Sequence, residues 1–357
     1  MNLLGIVLFV LKYPGLASEA QMEHRKRVII TMEQTNPKFA DIFQSDIMAD
    51  LESHADVVLN DLGRAFTTAE LAERCHNVDA IITAWGTPRI DMTVVNAAPK
   101  LRIIAHAAGS VKRFFAEEIW DAGITVTNAA SAIATYVGEF ALLAALAMLR
   151  SLPKYTFGAS TTAWENMACD GWETLIGKKI GLIGLGNTAK SFLRYLVPFK
   201  CEIIAYDPYV TPERAAELGV KLVSLEELLS SAKVISLHAP ITDETINMLN
   251  ASNLKLIKDG AVFINTARGI LVDHDALTEE LKTGRFKAVL DVTYPEPLPA
   301  DHPLRSMPNV VVTPHTAGPT VDGRRDLFRC VVDDLKLFWA GKPVRNLVTK
   351  EMLKTMA

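Results

Sequence analysis

The stretch Lys179-Ile180-Gly181-Leu182-Ile183-Gly184-Leu185-Gly186-Asn187-Thr188-Ala189 decides the fold of this 357-residue chain. An apolar strand (179–184) runs into a G-x-G-x-x-A turn, and a helical pattern (188–197) follows at once. Gly184 permits the tight turn. Gly186 lets the backbone approach a pyrophosphate, and Ala189 is small enough for close helix–strand packing. The helix entered through Asn187 and Thr188 offers free N–H groups and a positive dipole end to phosphates. Asp207 ends the next strand, 21 residues beyond Gly186. Its carboxylate suits an adenosine ribose and repels a 2′-phosphate. Pro208 and Tyr209 follow it rather than an arginine. The turn therefore predicts NAD in preference to NADP.

Working outward, short apolar runs alternate with longer amphipathic ones. Before the turn, strands are predicted at 27–32, 56–60, 80–85, 102–106 and 124–128, with helices such as 68–75 and 114–121 between them. After it, strands at 202–207, 233–238, 261–265, 287–292 and 309–313 alternate with helices such as 224–230 and 273–283. This alternation predicts an α/β protein built on parallel sheets. The length suggests about two domains. The tail 320–341 is again helical in period, and the last segment is expected to return to the first domain. That gives a first domain at 23–127, an inserted glycine-turn domain at 128–316 and a return at 317–350.

Composition narrows the class. Hydrophobic residues make up 49% and charged residues 22%, as in ordinary folded proteins. With 37 Lys and Arg against 41 Asp and Glu, the net charge is −4 and leaves no basic footprint for nucleic acid. Cys75, Cys169, Cys201 and Cys330 are widely spaced and form no CxxC, so neither a disulfide scaffold nor a cysteine metal site is expected. That usage fits a reducing, cytoplasmic setting. The apolar run from Leu3 to Leu11 is too short to span a bilayer. No Lys or Arg precedes it and no small-x-small cleavage site follows. Residues 1–22 are read as an appended or mis-started extension. The stretch 132–152 is the most apolar long one, but Tyr136 and Glu139 interrupt it and Arg150 and Lys154 close it. A buried helix between domains or subunits is expected there, not a membrane span. The polar residues 158–171 read as a surface connection.

In open parallel sheets, ligands sit outside the carboxyl ends of strands. Three neighbouring strand ends carry Asn265-Thr266-Ala267-Arg268-Gly269, Asp291-Val292-Thr293-Tyr294-Pro295-Glu296-Pro297 and Thr313-Pro314-His315-Thr316. One edge thus gathers Arg268, Glu296 and His315. Oxidising an alcohol needs a base for its proton while hydride leaves carbon, and a histidine serves in both directions. A glutamate beside it fixes its orientation and favours the imidazolium. An arginine fork clamps a carboxylate as lysine does not. His238, in Leu237-His238-Ala239-Pro240, is expected to form a wall of the cofactor pocket through backbone shape. His106 ends an earlier strand and is a candidate to face the cleft. His24, His54, His76, His274 and His302 read as ordinary. Trp85 and Arg89 are expected to line the first domain's end of the cleft.

Taken in order, these motifs resemble the D-2-hydroxyacid dehydrogenase family over about residues 27–348. The resemblance implies two doubly wound domains, a Rossmann NAD-binding domain inserted in a flavodoxin-like substrate domain. It implies that Arg268 binds substrate, that Glu296 pairs with His315, and that His315 is the acid/base. Thr266, Ala267, His238 and Pro240 would line the cofactor, with Asp291 near the nicotinamide amide. The helix holding Glu139 would support a homodimer. The substrate loop reads Ala107-Ala108-Gly109-Ser110-Val111-Lys112 and departs from the family's glycine-rich, aspartate-bearing pattern. Backbone N–H groups near Gly109 to Val111 still suit a carboxylate, and the resemblance implies Ala108, Gly109 and Ser110 as substrate-binding residues. Lys112 stands where the family carries a neutral or acidic residue, and Thr293-Tyr294 replaces an aromatic-first pair. Formate dehydrogenases of the family are disfavoured, because Glu296 takes the place of their amide. The expected function is NAD-dependent interconversion of a small D-2-hydroxy acid and its 2-oxo acid, without metal, nucleic acid or membrane. The alternatives are an NAD(H)-sensing binding protein and an enzyme for a non-carboxylate oxyanion such as phosphite.

Overall fold

The computed structural model describes residues 25–156 and 171–356. The extension at 1–22, Cys169 and nearly all of the connection at 158–171 lie outside the described residues. Every expected strand forms, each within two residues of its expected bounds. Contacts divide the chain into two units, each with its own parallel sheet.

The first unit comprises the chain up to Ala107, Arg113–Thr127 and Val331–Arg345. Its strands are β1 (Lys26–Glu33), β2 (Ala55–Asn60), β3 (Ala80–Thr83), β4 (Ile103–His106) and β5 (Thr125–Asn128). They lie in the order β2-β1-β3-β4-β5, the flavodoxin-like order. β1 pairs in parallel with β2 and β3, and β3 with β4. The run Ile81-Ile82 and the run Ile103-Ile104 are fully buried, as expected for strands covered on both faces. Two helices show why local sequence suffices in places. Helix α1 (Ser45–Glu52) buries Ile47 and Leu51 at helical spacing. Helix α2 (Thr68–Arg74) opens on a capping box, with the Thr67 hydroxyl accepting from Glu70 N and the Glu70 carboxylate accepting from Thr67 N. The helix expected at 114–121 is only Glu118–Asp121. The preceding residues are drawn into a parallel bridge instead, where Ile90 N donates to Phe114 O and Ala116 N donates to Ile90 O.

The second unit comprises Ala108–Lys112, Asn128–Cys330 and the segment after Asn346. Its strands are β6 (Lys179–Ile183), β7 (Glu202–Tyr206), β8 (Lys221–Leu222), β9 (Val234–Leu237), β10 (Val262–Asn265), β11 (Lys287–Leu290) and β12 (Val310–Val312). The sheet order β12-β11-β10-β9-β6-β7-β8 is the Rossmann 3-2-1-4-5-6 order extended by one strand. All its pairs are parallel. The order reverses between β6 and β9, so the glycine turn sits at the switch point where such sheets bind ligands. Helix α3 (Ala130–Leu149) is apolar and long enough to cross a membrane by composition alone. Here its Ala141, Ala144, Ala145, Met148 and Leu149 share a core with Phe192 and the β6 residues Ile180 and Leu182. Gly138 makes that possible: a Cβ there would lie 2.8 Å from Phe192 N in helix α4 (Asn187–Leu196). Helix α5 (His274–Lys282) follows β10, and helix α6 (Arg325–Trp339) follows β12.

Val331–Arg345, which begins inside α6, groups with the first unit. Gly323, just before α6, packs so closely on Tyr136 that a Cβ would lie 2.4 Å from its ring, and the Tyr136 hydroxyl donates to Asp326. Those contacts keep the start of α6 with the second unit.

Candidate active site

The glycine turn has the shape a pyrophosphate needs. Gly184 has φ +92°, a conformation that favours glycine, and a Cβ on it would meet the His238–Ala239 backbone at 3.0 Å. Around Gly186 a Cβ would meet nothing within 4 Å, so the space above the turn is open. Gly186 caps α4 without a side-chain hydrogen bond. The N–H groups of Asn187, Thr188 and Ala189 therefore have no intrahelical partner and point out of the helix start. Ala189 itself is fully buried, as the third small residue of the turn must be. Asp207 Oδ2 accepts from Leu185 N at 2.8 Å and Oδ1 accepts from Tyr209 N at 2.9 Å. The carboxylate thus braces the turn while each oxygen keeps a lone pair. The residues fit a dinucleotide. Replacing Asp207 with Asn should weaken NADH binding about tenfold and narrow its preference over NADPH by a similar factor. Fluorescence titration with both nucleotides checks this; an unchanged NADH/NADPH ratio would refute the ribose assignment.

His238 follows β9, and its N donates to Ile183 O at 2.7 Å, tying β9 to β6 beside the turn. Both ring nitrogens are buried without a partner among the described residues, and burial pushes the imidazole pKa down to about 4. The ring is neutral near pH 7 and stands by Phe192, with 6.1 Å between centroids. Pro240 accepts the Thr245 hydroxyl at 2.7 Å through its carbonyl, shaping the loop after β9.

Arg268, Glu296 and His315 follow β10, β11 and β12, which are adjacent in the sheet. Each is held by a different device. After β10, the Asn265 side chain bridges the turn, accepting from Ala267 N and donating to Arg268 O, both at 3.0 Å. Thr266 is buried, with an Oγ1 that has no partner among the described residues. Arg268 is extended, and burial lowers its pKa while Glu296 opposes that shift. After β11, the buried carboxylate of Asp291 accepts from the Thr313 hydroxyl, Thr316 N and Ala317 N at 2.6–2.9 Å. His315 N also donates to Asp291 O at 2.9 Å. What Asp291 holds, then, is the loop of His315. His315 has φ +55°, a left-handed conformation uncommon for non-glycine residues. From it, His315 Nδ1 meets Glu296 Oε1 at 2.6 Å, with both side chains about half exposed. An imidazole held at Nδ1 by a carboxylate has Nε2 left for proton transfer.

Two supports of this edge were not singled out by sequence. A Cβ on Gly269 would lie 2.1 Å from the Thr293 carbonyl carbon and oxygen, so the Arg268 and Glu296 loops touch through glycine. His274, read as ordinary, is buried and takes a position under the Glu296 loop. Its Nδ1 lies 3.0 Å from Val272 O and its Nε2 accepts from Tyr294 N at 3.3 Å. Burial lowers its pKa, in keeping with a neutral ring that donates at one nitrogen and accepts at the other. The loop Ala108–Lys112 belongs to this unit too. Ala108 O accepts from Ala129 N at 2.9 Å, Gly109 O accepts from Asn128 Nδ2 at 2.8 Å, and half-buried Ser110 lies between them and fully buried Val111.

In the first unit, His106 does not face a cleft. It is fully buried, with Nδ1 2.8 Å from the Thr83 hydroxyl and its ring between Phe114 and Phe115. Trp85 lies under the Lys38 ammonium, 4.8 Å from its ring centroid, and Arg89 O accepts the Thr68 hydroxyl.

A Rossmann-order sheet, an open glycine turn and an imidazole–carboxylate pair on the same sheet edge are the arrangement of a nucleotide-dependent oxidoreductase. Comparison with known proteins agrees. Residues 142–317 match the D-isomer specific 2-hydroxyacid dehydrogenase, NAD binding domain. A glyoxylate reductase of Korarchaeum cryptofilum is 35% identical over 289 residues, 80% of this chain and 86% of that one. A D-3-phosphoglycerate dehydrogenase of Archaeoglobus fulgidus is 35% identical over 280 residues, 78% of this chain and 53% of that one. The chain thus spans about half the length of such phosphoglycerate dehydrogenases. Among solved structures, a phosphoglycerate oxidoreductase from Rhizobium etli has a TM-score of 0.78 at 26% identity, covering 91% of this chain and 98% of that one. The chain belongs to the D-isomer-specific 2-hydroxyacid dehydrogenase family, and its second unit carries the family's NAD-binding domain.

Proposed function

We propose that the chain interconverts a small D-2-hydroxy acid and its 2-oxo acid with NAD. The observation that carries this reading is the 2.6 Å pairing of His315 Nδ1 with Glu296 Oε1 in the unit that holds the glycine turn. In the reducing direction, bound NADH supplies the hydride. Protonated His315 gives its Nε2 proton to the oxygen that becomes the hydroxyl, and in oxidation it takes that proton back. Glu296 orients the ring through its hydrogen bond at Nδ1. Arg268 grips the carboxylate with its planar fork and stays charged despite its burial. The N–H groups of the Ala108–Lys112 loop share that carboxylate. Cys75 and Cys201, which form no disulfide among the described residues, support a cytoplasmic setting, and the exposed Leu143 on α3 supports a homodimer.

NADH consumption measured against glyoxylate, hydroxypyruvate, pyruvate, phenylpyruvate and branched 2-oxo acids, with NADPH as control, tests the reading. Turnover of at least one acid is expected. Tight NADH binding with no turnover would support an NAD(H)-sensing protein instead. Arg268→Lys should raise the KM for the active acid about 10- to 100-fold, because a charged two-point contact becomes one. Its NADH affinity should be unchanged; an unaltered KM would remove Arg268 from the substrate site.

A further inference from the structure

The loop carrying Glu296 is tied down at several points. The Thr293 hydroxyl donates to Pro295 O at 2.8 Å, and Arg305 Nε donates to Pro299 O at 2.8 Å. A further tie runs from Tyr294 N to His274 Nε2, and of these three it is the one that a proton can break. His274 is the first residue of α5 and is 8% exposed. The chemistry of its two partners fixes its protonation. Val272 O can only accept, so Nδ1, 3.0 Å away, carries the hydrogen. Tyr294 N can only donate, so Nε2 carries none. One neutral tautomer satisfies both contacts, and the imidazolium satisfies just one. A second proton would set an N–H on Nε2 against the N–H of Tyr294, two residues before Glu296. Burial is the largest influence on the ring and pushes its pKa down. The hydrogen bond to Val272 O and the charges of Asp273 and Asp275 pull it up, while His302 pushes it down. The positive end of the α5 dipole also opposes the second proton. All these residues belong to the second unit.

We propose that His274 is a positioning residue for the reaction: its neutral ring fixes the Glu296 loop against the chain that leads from Arg268 into α5, and a second proton on the ring releases that loop. The effect reaches His315 through the contact of its Nδ1 with Glu296 Oε1. Acid therefore acts twice in the reducing direction. It protonates His315, which supplies the proton, and it protonates His274, which loosens the carboxylate that orients His315. This rests on the dehydrogenase reading above and adds to it a proton-linked support acting through Glu296.

Two variants test it. His274→Gln keeps an amide oxygen for Tyr294 N and cannot titrate, whereas His274→Leu keeps the bulk and offers no acceptor. At about pH 7.5, His274→Gln should stay within about threefold of wild type, and His274→Leu should lose about tenfold in kcat with KM changed less. Between about pH 7.5 and about pH 5, the ratio of wild-type to His274→Gln kcat/KM should fall about threefold or more, because only the wild type has a ring to protonate there. His315, Glu296 and the substrate are common to both proteins, so the ratio isolates His274. NADH titration of each variant shows that it is folded; should His274→Leu not fold, the ratio decides. Wild-type kcat in folded His274→Leu, a His274→Gln protein no better than His274→Leu, or a ratio constant with pH would overturn the inference and leave the dehydrogenase reading standing. If no acid is turned over, that reading fails. NMR of protein labelled in its histidine rings and tyrosine amides then decides the inference. The ring signals lost in His274→Gln should be those of a neutral, Nδ1-protonated imidazole, and its protonation in acid should shift the Tyr294 amide. A ring protonated at Nε2 at neutral pH, or a Tyr294 amide indifferent to the titration, overturns it.

Discussion

His315→Asn lowers kcat about 10²–10⁴-fold while NADH binds as before, the loss expected when a general acid–base is removed. Asparagine is a better test here than alanine. His315 sits at φ +55°, which asparagine adopts readily and alanine resists. The loop itself is held by Asp291 through Thr313, Thr316, Ala317 and the His315 backbone, and none of these bonds uses the imidazole. The asparagine variant therefore keeps the loop and loses only the proton carrier. Glu296 is half exposed, so water can take up its freed oxygen. Stopped-flow reduction of the active 2-oxo acid reads the effect on chemistry apart from product release, and NADH titration reads the cofactor site. A variant with wild-type kcat would end the assignment of His315.

Gly269→Ala should lower kcat/KM about a hundredfold, the order expected when a site shifts by roughly 1 Å. The new methyl would fall 2.1 Å from the Thr293 carbonyl and 2.6 Å from Tyr294 N. These are backbone atoms, so no side chain can swing aside. Relief requires moving the chain before Glu296 away from the chain after Arg268. His274 resists that motion, since its ring is bonded to both Val272 O and Tyr294 N. The midpoint of thermal unfolding should fall as well, and NADH binding at the glycine turn should fall less than substrate turnover. Wild-type kcat/KM in a folded Gly269→Ala protein would show that the two loops are not coupled through this contact.

The parallel sheets were legible because fully buried strands are continuous apolar runs, and the glycine turn because its three small positions have separate steric causes. Gly184 and Ala189 bear this out at 3.0 Å from the His238–Ala239 backbone and at zero exposure respectively. The edge bearing Arg268, Glu296 and His315 was legible because strand ends can be counted. Supports that act across sequence were not. Gly269 looks like any turn glycine until the Thr293 backbone is placed against it. His274 opens a helix, and nothing local says that Tyr294 will donate to it. The residues before Glu118 have helical composition, but pairing with Ile90 captures them. β8 has two residues, too few to show a period. The start of α6 stays with the second unit because of Tyr136, a partner far away in sequence.

The short loop Ala108–Lys112 leaves one unit's strand β4 behind and does its packing with the other. This has a practical meaning for recombining such proteins. A chimera cut at the end of β5 would import a foreign loop along with the donor's first unit. A graft that keeps residues 108–112 with the glycine-turn unit would carry that loop, Arg268, Glu296 and His315 as one transferable part. The exchange would then vary only what the first unit adds.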